Sequence, residues 1–175
     1  MFLWSYIVAV LLAGTVQAVF PGLSWMGEAR PPALLAVLLY YALTRSASVT
    51  LWTALAAGVM QDALGLVPLG YSSLCFAVVG LLVNRFRDDL FPELPITHAL
   101  LGGAGAAVFS LALFGLLRAG DLVALPVGQL GLKCAGAAVG GALFTPIICA
   151  LMAKMDEGLG LIENNDHANE MMNAK

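Results

Sequence analysis

Ala57-Gly58-Val59-Met60-Gln61-Asp62-Ala63-Leu64-Gly65-Leu66-Val67-Pro68-Leu69-Gly70 places one carboxylate in a run that is otherwise uncharged and mostly apolar or small. Asp62 is the only charged residue between Arg45 and Arg85. A carboxylate at membrane depth costs on the order of a few kcal/mol, so it persists where something pairs with it or where function requires it. At helical spacing, Ala54, Gly58, Asp62 and Gly65 fall on one stripe, three and four residues apart. A stripe that is small and polar is expected to face another helix rather than lipid.

The rest of the composition agrees with a membrane setting. The chain has 175 residues, 61% hydrophobic and 11% charged, whereas ordinary soluble domains are about a quarter charged. Its apolar segments are too long and too many for one soluble core of this size. The formal net charge of −3 says little about partners, because five of the eleven acids (Asp156, Glu157, Glu163, Asp166 and Glu170) follow residue 155. No basic run occurs, which argues against a nucleic-acid partner. Cys75, Cys134 and Cys149 lie in apolar segments without C-x-x-C spacing and read as small packing residues.

Six spans are predicted, giving an all-α membrane protein with its transmembrane helices in one bundle. They run from about Phe2 to Phe20, from after Pro32 to about Leu43, from Ala47 to Leu64, from about Gly70 to Arg85, from Thr97 to Leu117 and from Leu130 to Ala153. The second is short. It spans if Arg30 and Arg45 snorkel to the two interfaces, and is otherwise a re-entrant segment. Residues 1–153 form the transmembrane domain, and 154–175 are expected to be an acidic, disordered tail.

Basic residues set the expected orientation. With the N-terminus inside, the cytoplasmic segments hold Arg45, Arg85, Arg87, Lys154 and Lys175, and the outer ones Arg30, Arg118 and Lys133. Both termini are therefore expected to be cytoplasmic. Val16-Gln17-Ala18 looks like a signal-peptidase site, but no Lys or Arg precedes the apolar run and the run is long for a signal core.

Catalytic patterns are missing from the sequence. His98 and His167 join no H-E-x-x-H motif or carboxylate cluster, so no metal or cofactor is expected. Ser72-Ser73 and His98 fall on opposite sides in this topology, which disfavours a serine-protease pairing. Gly102-Gly103-Ala104-Gly105, and Gly136-x-x-x-Gly140 with Gly141, are expected to let helices approach closely. Tyr40-Tyr41 and Trp52 are expected to sit near the membrane interfaces as aromatic anchors.

A span ending in Gly58-x-x-x-Asp62, a short turn with Pro68, then Leu69-Gly70 opening the next span resembles the MreD family of rod-shape-determining membrane proteins. Pro31-Pro32 before a Leu-rich span with Tyr40-Tyr41, and Arg85 closing the fourth span, agree with it over roughly residues 1 to 153. The resemblance implies a non-enzymatic, multi-pass protein of the bacterial cytoplasmic membrane that takes part in side-wall peptidoglycan synthesis. The implied partners are membrane lipid, an MreC-like periplasmic scaffold, an MreB-like filament and a RodA-like polymerase with its transpeptidase. It also implies a fold like the substrate-binding components of vitamin transporters, which makes a small-solute binding or transport subunit the alternative. That alternative needs a polar cavity near the outer face, where the sequence offers only Gln61, Asp62, Ser72, Ser73, Gln129 and Trp25.

The structural or interaction candidates are Gly58, Asp62, Gly70, Ser72, Ser73, Gly136 and Gly140. Asp62 is expected to accept hydrogen bonds at the start of the fourth span, from backbone N–H groups or from the Ser72 and Ser73 hydroxyls.

Overall fold

The computed structural model describes residues 2–19, 32–65, 68–87, 95–120 and 127–158, and these described residues form six helices. They are α1 (Phe2–Val19), α2 (Ala33–Thr44), α3 (Ala47–Gly65), α4 (Tyr71–Arg85), α5 (Pro95–Ala119) and α6 (Val127–Gly158), with no strand among the described residues. Long runs of Leu, Ala and Val favour helix, and the breaks fall where backbone chemistry demands them. Pro32 precedes α2, where its missing N–H matters least. Arg45 closes α2 in extended backbone. Gly70 enters α4 at φ +103, a left-handed conformation that suits glycine.

The organising element is α2. Every residue from Ala33 to Leu43 is buried, none more than 8% exposed. It packs against α1, α3, α4, α5 and α6. At 12 residues it is roughly 18 Å long, well short of the roughly 30 Å of a bilayer core. Its neighbours enclose it, so its length need not match the lipid. Around it, α3 pairs with α4 and α5 with α6 in the two most extensive contacts.

Enclosure also corrects the placing of Tyr40 and Tyr41. They were expected as interfacial anchors, but both are buried, edge to face with ring centroids 5.5 Å apart. Trp52 on α3 does face outward, at 69% exposure.

Polarity runs opposite to that of a soluble protein. Leu11, Leu74, Leu100, Leu143 and Ile147 are exposed, while Gln17, Thr50, Thr53, Asp62, Ser72 and Thr145 are buried. Contiguous apolar surface of this kind is a liability in water and a requirement in lipid, where backbone and side-chain polar groups must be satisfied internally. The segments Ile96–Ala119 and Gly131–Gly158 are long and apolar enough to cross a membrane. Among the other helices, Ile7–Val19, Ala33–Thr44 and Tyr71–Arg85 are shorter apolar stretches.

The last helix differs from expectation. It continues past Ala153 through Lys154 and Asp156 to Gly158, because Asp156 is buried in a polar junction rather than solvated in a tail. Residues 159–175, for which disorder was expected, lie outside the described residues, as do Trp25, Arg30 and the Gln129 side chain.

Candidate functional site

Two polar junctions lie at opposite ends of α2, and each satisfies helix termini that lipid could not. At the first, α3 delivers Asp62, fully buried, to the start of α4. Its Oδ2 accepts the Gly70 N–H at 2.7 Å and its Oδ1 the Ser72 N–H at 3.0 Å. One carboxylate thus takes two orphan donors of one helix, at the positive end of that helix's dipole. The turn through Pro68 and Gly70 brings those donors back to α3, with Gly70 in its left-handed conformation.

Of the two expected forms of this contact, the structure holds the backbone one. Ser73 Oγ donates instead to Leu55 O at 3.2 Å, back onto α3. Ser72 Oγ is buried with no hydrogen-bond partner among the described residues. The stripe on α3 is buried at Ala54, Gly58 and Asp62, and emerges at Gly65. A Cβ on Gly58 would overlap Ser73 Cα, so the two backbones meet there.

The sequence-level view missed Gln17. Its Nε2 donates to Gln61 Oε1 at 2.6 Å, and its Oε1 accepts the Leu34 N–H at 3.3 Å. Gln17 therefore joins α1 to α3 and caps the N-terminus of α2. The available signal was a buried-depth amide in an otherwise apolar helix, beside the matching amide Gln61.

The second junction closes the other end of α2. Asn84 Nδ2 donates to Ala42 O at 2.7 Å and to Arg45 O at 2.9 Å, and Arg87 Nη1 donates to Arg45 O at 2.8 Å. Side chains from the end of α4 thereby satisfy the last carbonyls of α2. From α6, Asp156 Oδ2 accepts the Tyr40 hydroxyl at 2.9 Å and pairs with Arg45 Nη2 at 3.3 Å. Asp156 had been assigned to the tail, because its partners lie more than a hundred residues away.

Small residues set the α5–α6 contact. A Cβ on Gly141 would overlap the backbone of Gly102, and one on Gly102 would overlap Thr145. Gly140 is looser: its Cβ would stand 3.7 Å from Pro32 Cδ, an ordinary contact. Gly136 is buried on α6. The backbone-level approach is thus at Gly141, which the sequence grouped with Gly136 and Gly140 as a close-packing set. Gly141→Ala should lower stability in detergent by about 1–3 kcal/mol as overpacking, while Gly140→Ala should be neutral within about 0.5 kcal/mol. Equal melting curves for the two variants would contradict this assignment.

Among the described residues, no group of three or more His, Cys, Asp and Glu side chains could hold a metal ion. What the arrangement does is hold five helices around a short sixth with buried, satisfied polar ends.

A family model described as rod shape-determining protein MreD matches residues 1–122. The chain belongs to the MreD family. The match contains α1 to α5, hence the Asp62 junction, the Gln17 bridge and the Asn84 cap. The Asp156 latch on α6 falls beyond it. No curated protein and no solved structure matches the chain. An MreD-family protein is a rod-shape-determining membrane protein, and the exposed apolar side chains with buried, hydrogen-bonded polar groups at the ends of α2 suit that setting.

Proposed function

We propose that this MreD-family protein is a non-enzymatic integral component of the bacterial cell-elongation complex that helps organise side-wall peptidoglycan synthesis. The observation that carries this reading is the family match across α1 to α5, which holds the junction built on Asp62. In this reading the six helices cross the cytoplasmic membrane, α6 runs on to Gly158 with Asp156 in the bundle, and the segment after Gly158 lies on the cytoplasmic side. Arg45, Arg85, Arg87 and Lys154 gather at the Asp156 end of the bundle, and Arg118 on α5 and Lys133 on α6 lie toward the other. That asymmetry supports placing the Asp156 end and both termini in the cytoplasm.

The partners are an MreC-like scaffold, a RodA-like polymerase with its transpeptidase, and an MreB-like filament, met through helix faces and loops within lipid. Gly58, Asp62, Gly70, Ser72, Ser73, Gly136 and Gly140 act in this scheme by shaping the bundle that partners contact. Depleting the protein from a rod-shaped cell should round the cells and disperse side-wall wall labelling, and re-expression should restore both. Cells that keep normal width and normal labelling after depletion would overturn the assignment. Tight, saturable binding of a vitamin-like solute by the purified protein would instead favour a small-solute subunit with the transporter-like fold.

A further inference from the structure

The last turns of α6 have the features of a strap with a hinge at one end and a latch at the other. Before Pro146, α6 is locked to α5 through Gly102, Gly141 and Thr145 at backbone level. Pro146 sits inside the helix and removes a backbone hydrogen bond there. Beyond it, Cys149, Met152 and Asp156 are buried on one stripe, and Ile147 and Leu151 on the opposite face are exposed. The buried stripe faces α2: Cys149 Sγ lies 4.0 Å from Ala36 O, and Asp156 reaches Tyr40 and Arg45.

The helices around α2 follow one another as α1, α3, α4, α5 and α6, each packed on the next. Among the described residues α1 and α6 share little or no contact, so the strap has a free edge. The body on the other side is fastened by polar bonds at both ends of α2, through Gln17, Gln61, Asn84 and Arg87. The strap meets α2 mostly through apolar groups, with the charged tie at its far end. Inside a membrane, apolar helix contact is readily exchanged for lipid, because acyl chains are as apolar as Leu. The charged and hydroxyl tie has no such substitute.

We propose that the Ile147–Gly158 segment of α6 is a movable strap, hinged at Pro146 and latched by Asp156 on Tyr40 and Arg45. When the latch opens, water enters from the Asp156 end and reaches Cys149, while acyl chains cover the flank of α2 from the α1 side. The same motion displaces the Gly158 end of α6. This goes beyond the proposed cell-elongation role and stands or falls independently of it.

A native thiol reports the motion. The full chain in lipid nanodiscs is treated with N-ethylmaleimide, and modification of Cys149 and Cys75 is followed separately by mass spectrometry. Cys149 lies on the buried face of the strap itself, against α2, whereas Cys75 is buried on α4, which stays with the body. In the unmodified protein Cys149 should react faster than Cys75, because the latch opens transiently. Asp156→Ala should speed Cys149 by about tenfold or more while leaving Cys75 unchanged, and Arg45→Gln should have a smaller effect in the same direction. Cys149 and Cys75 rising together would mean general loosening and would overturn the strap. So would Cys149 reacting no faster in Asp156→Ala than in the unmodified protein.

Discussion

Asp62→Ala should be the most damaging single truncation, lowering stability in mild detergent by about 3 kcal/mol. The carboxylate accepts two backbone N–H groups, from Gly70 and Ser72, and is itself fully buried. Removing it leaves those donors without their acceptor, and a bond to a charged acceptor is worth about 1.5–3 kcal/mol. The two bonds share one group and one helix end, so their losses do not simply add. Asp62→Asn keeps one carbonyl acceptor and turns an NH2 toward the other donor, so it should lose about half as much. The check is thermal unfolding of the three proteins in one detergent. Asp62→Ala melting with the unmodified protein would show that the cap contributes nothing. Asp62→Asn melting below Asp62→Ala would show that the carboxylate's charge, rather than its acceptor geometry, is what α4 requires.

The Asp62 junction was legible because a short turn can return the chain only to the end of the helix it has left. The residue spacing from Asp62 to Gly70 therefore places a carboxylate beside free N–H groups. The donor atoms were harder to foresee, since a serine hydroxyl can turn either way, and Ser73 turns to Leu55. Six helices were readable from apolar runs and from breaks at Pro and Gly. Their arrangement was not, because a helix that is apolar all round carries no stripe to say which side is inward. For that reason Tyr40 and Tyr41 were placed at an interface although α2 is enclosed. Asp156 was lost for another reason. Local composition made it tail, and only the partners at Tyr40 and Arg45, distant in sequence, make it interior.

Gly58→Val should cost about 2–3 kcal/mol and, unlike Asp62→Ala, should do so by pushing helices apart. The Cβ of any residue at position 58 would overlap Ser73 Cα and crowd Ser73 N. Those are backbone atoms, so no side-chain rotation relieves the overlap. The α3–α4 crossing must open, and Asp62, one turn further along α3, moves away from the Gly70 and Ser72 donors with it. Valine worsens this through its branched Cβ, which is stiff in a helix. Because both substitutions break the same junction, the double variant Gly58→Val with Asp62→Ala should lose less than the sum of the singles, by about 1 kcal/mol or more. Thermal unfolding of the four proteins closes the cycle. Additive losses would mean that the glycine contact and the carboxylate cap hold α3 to α4 independently, and that the close approach at Gly58 does not position Asp62.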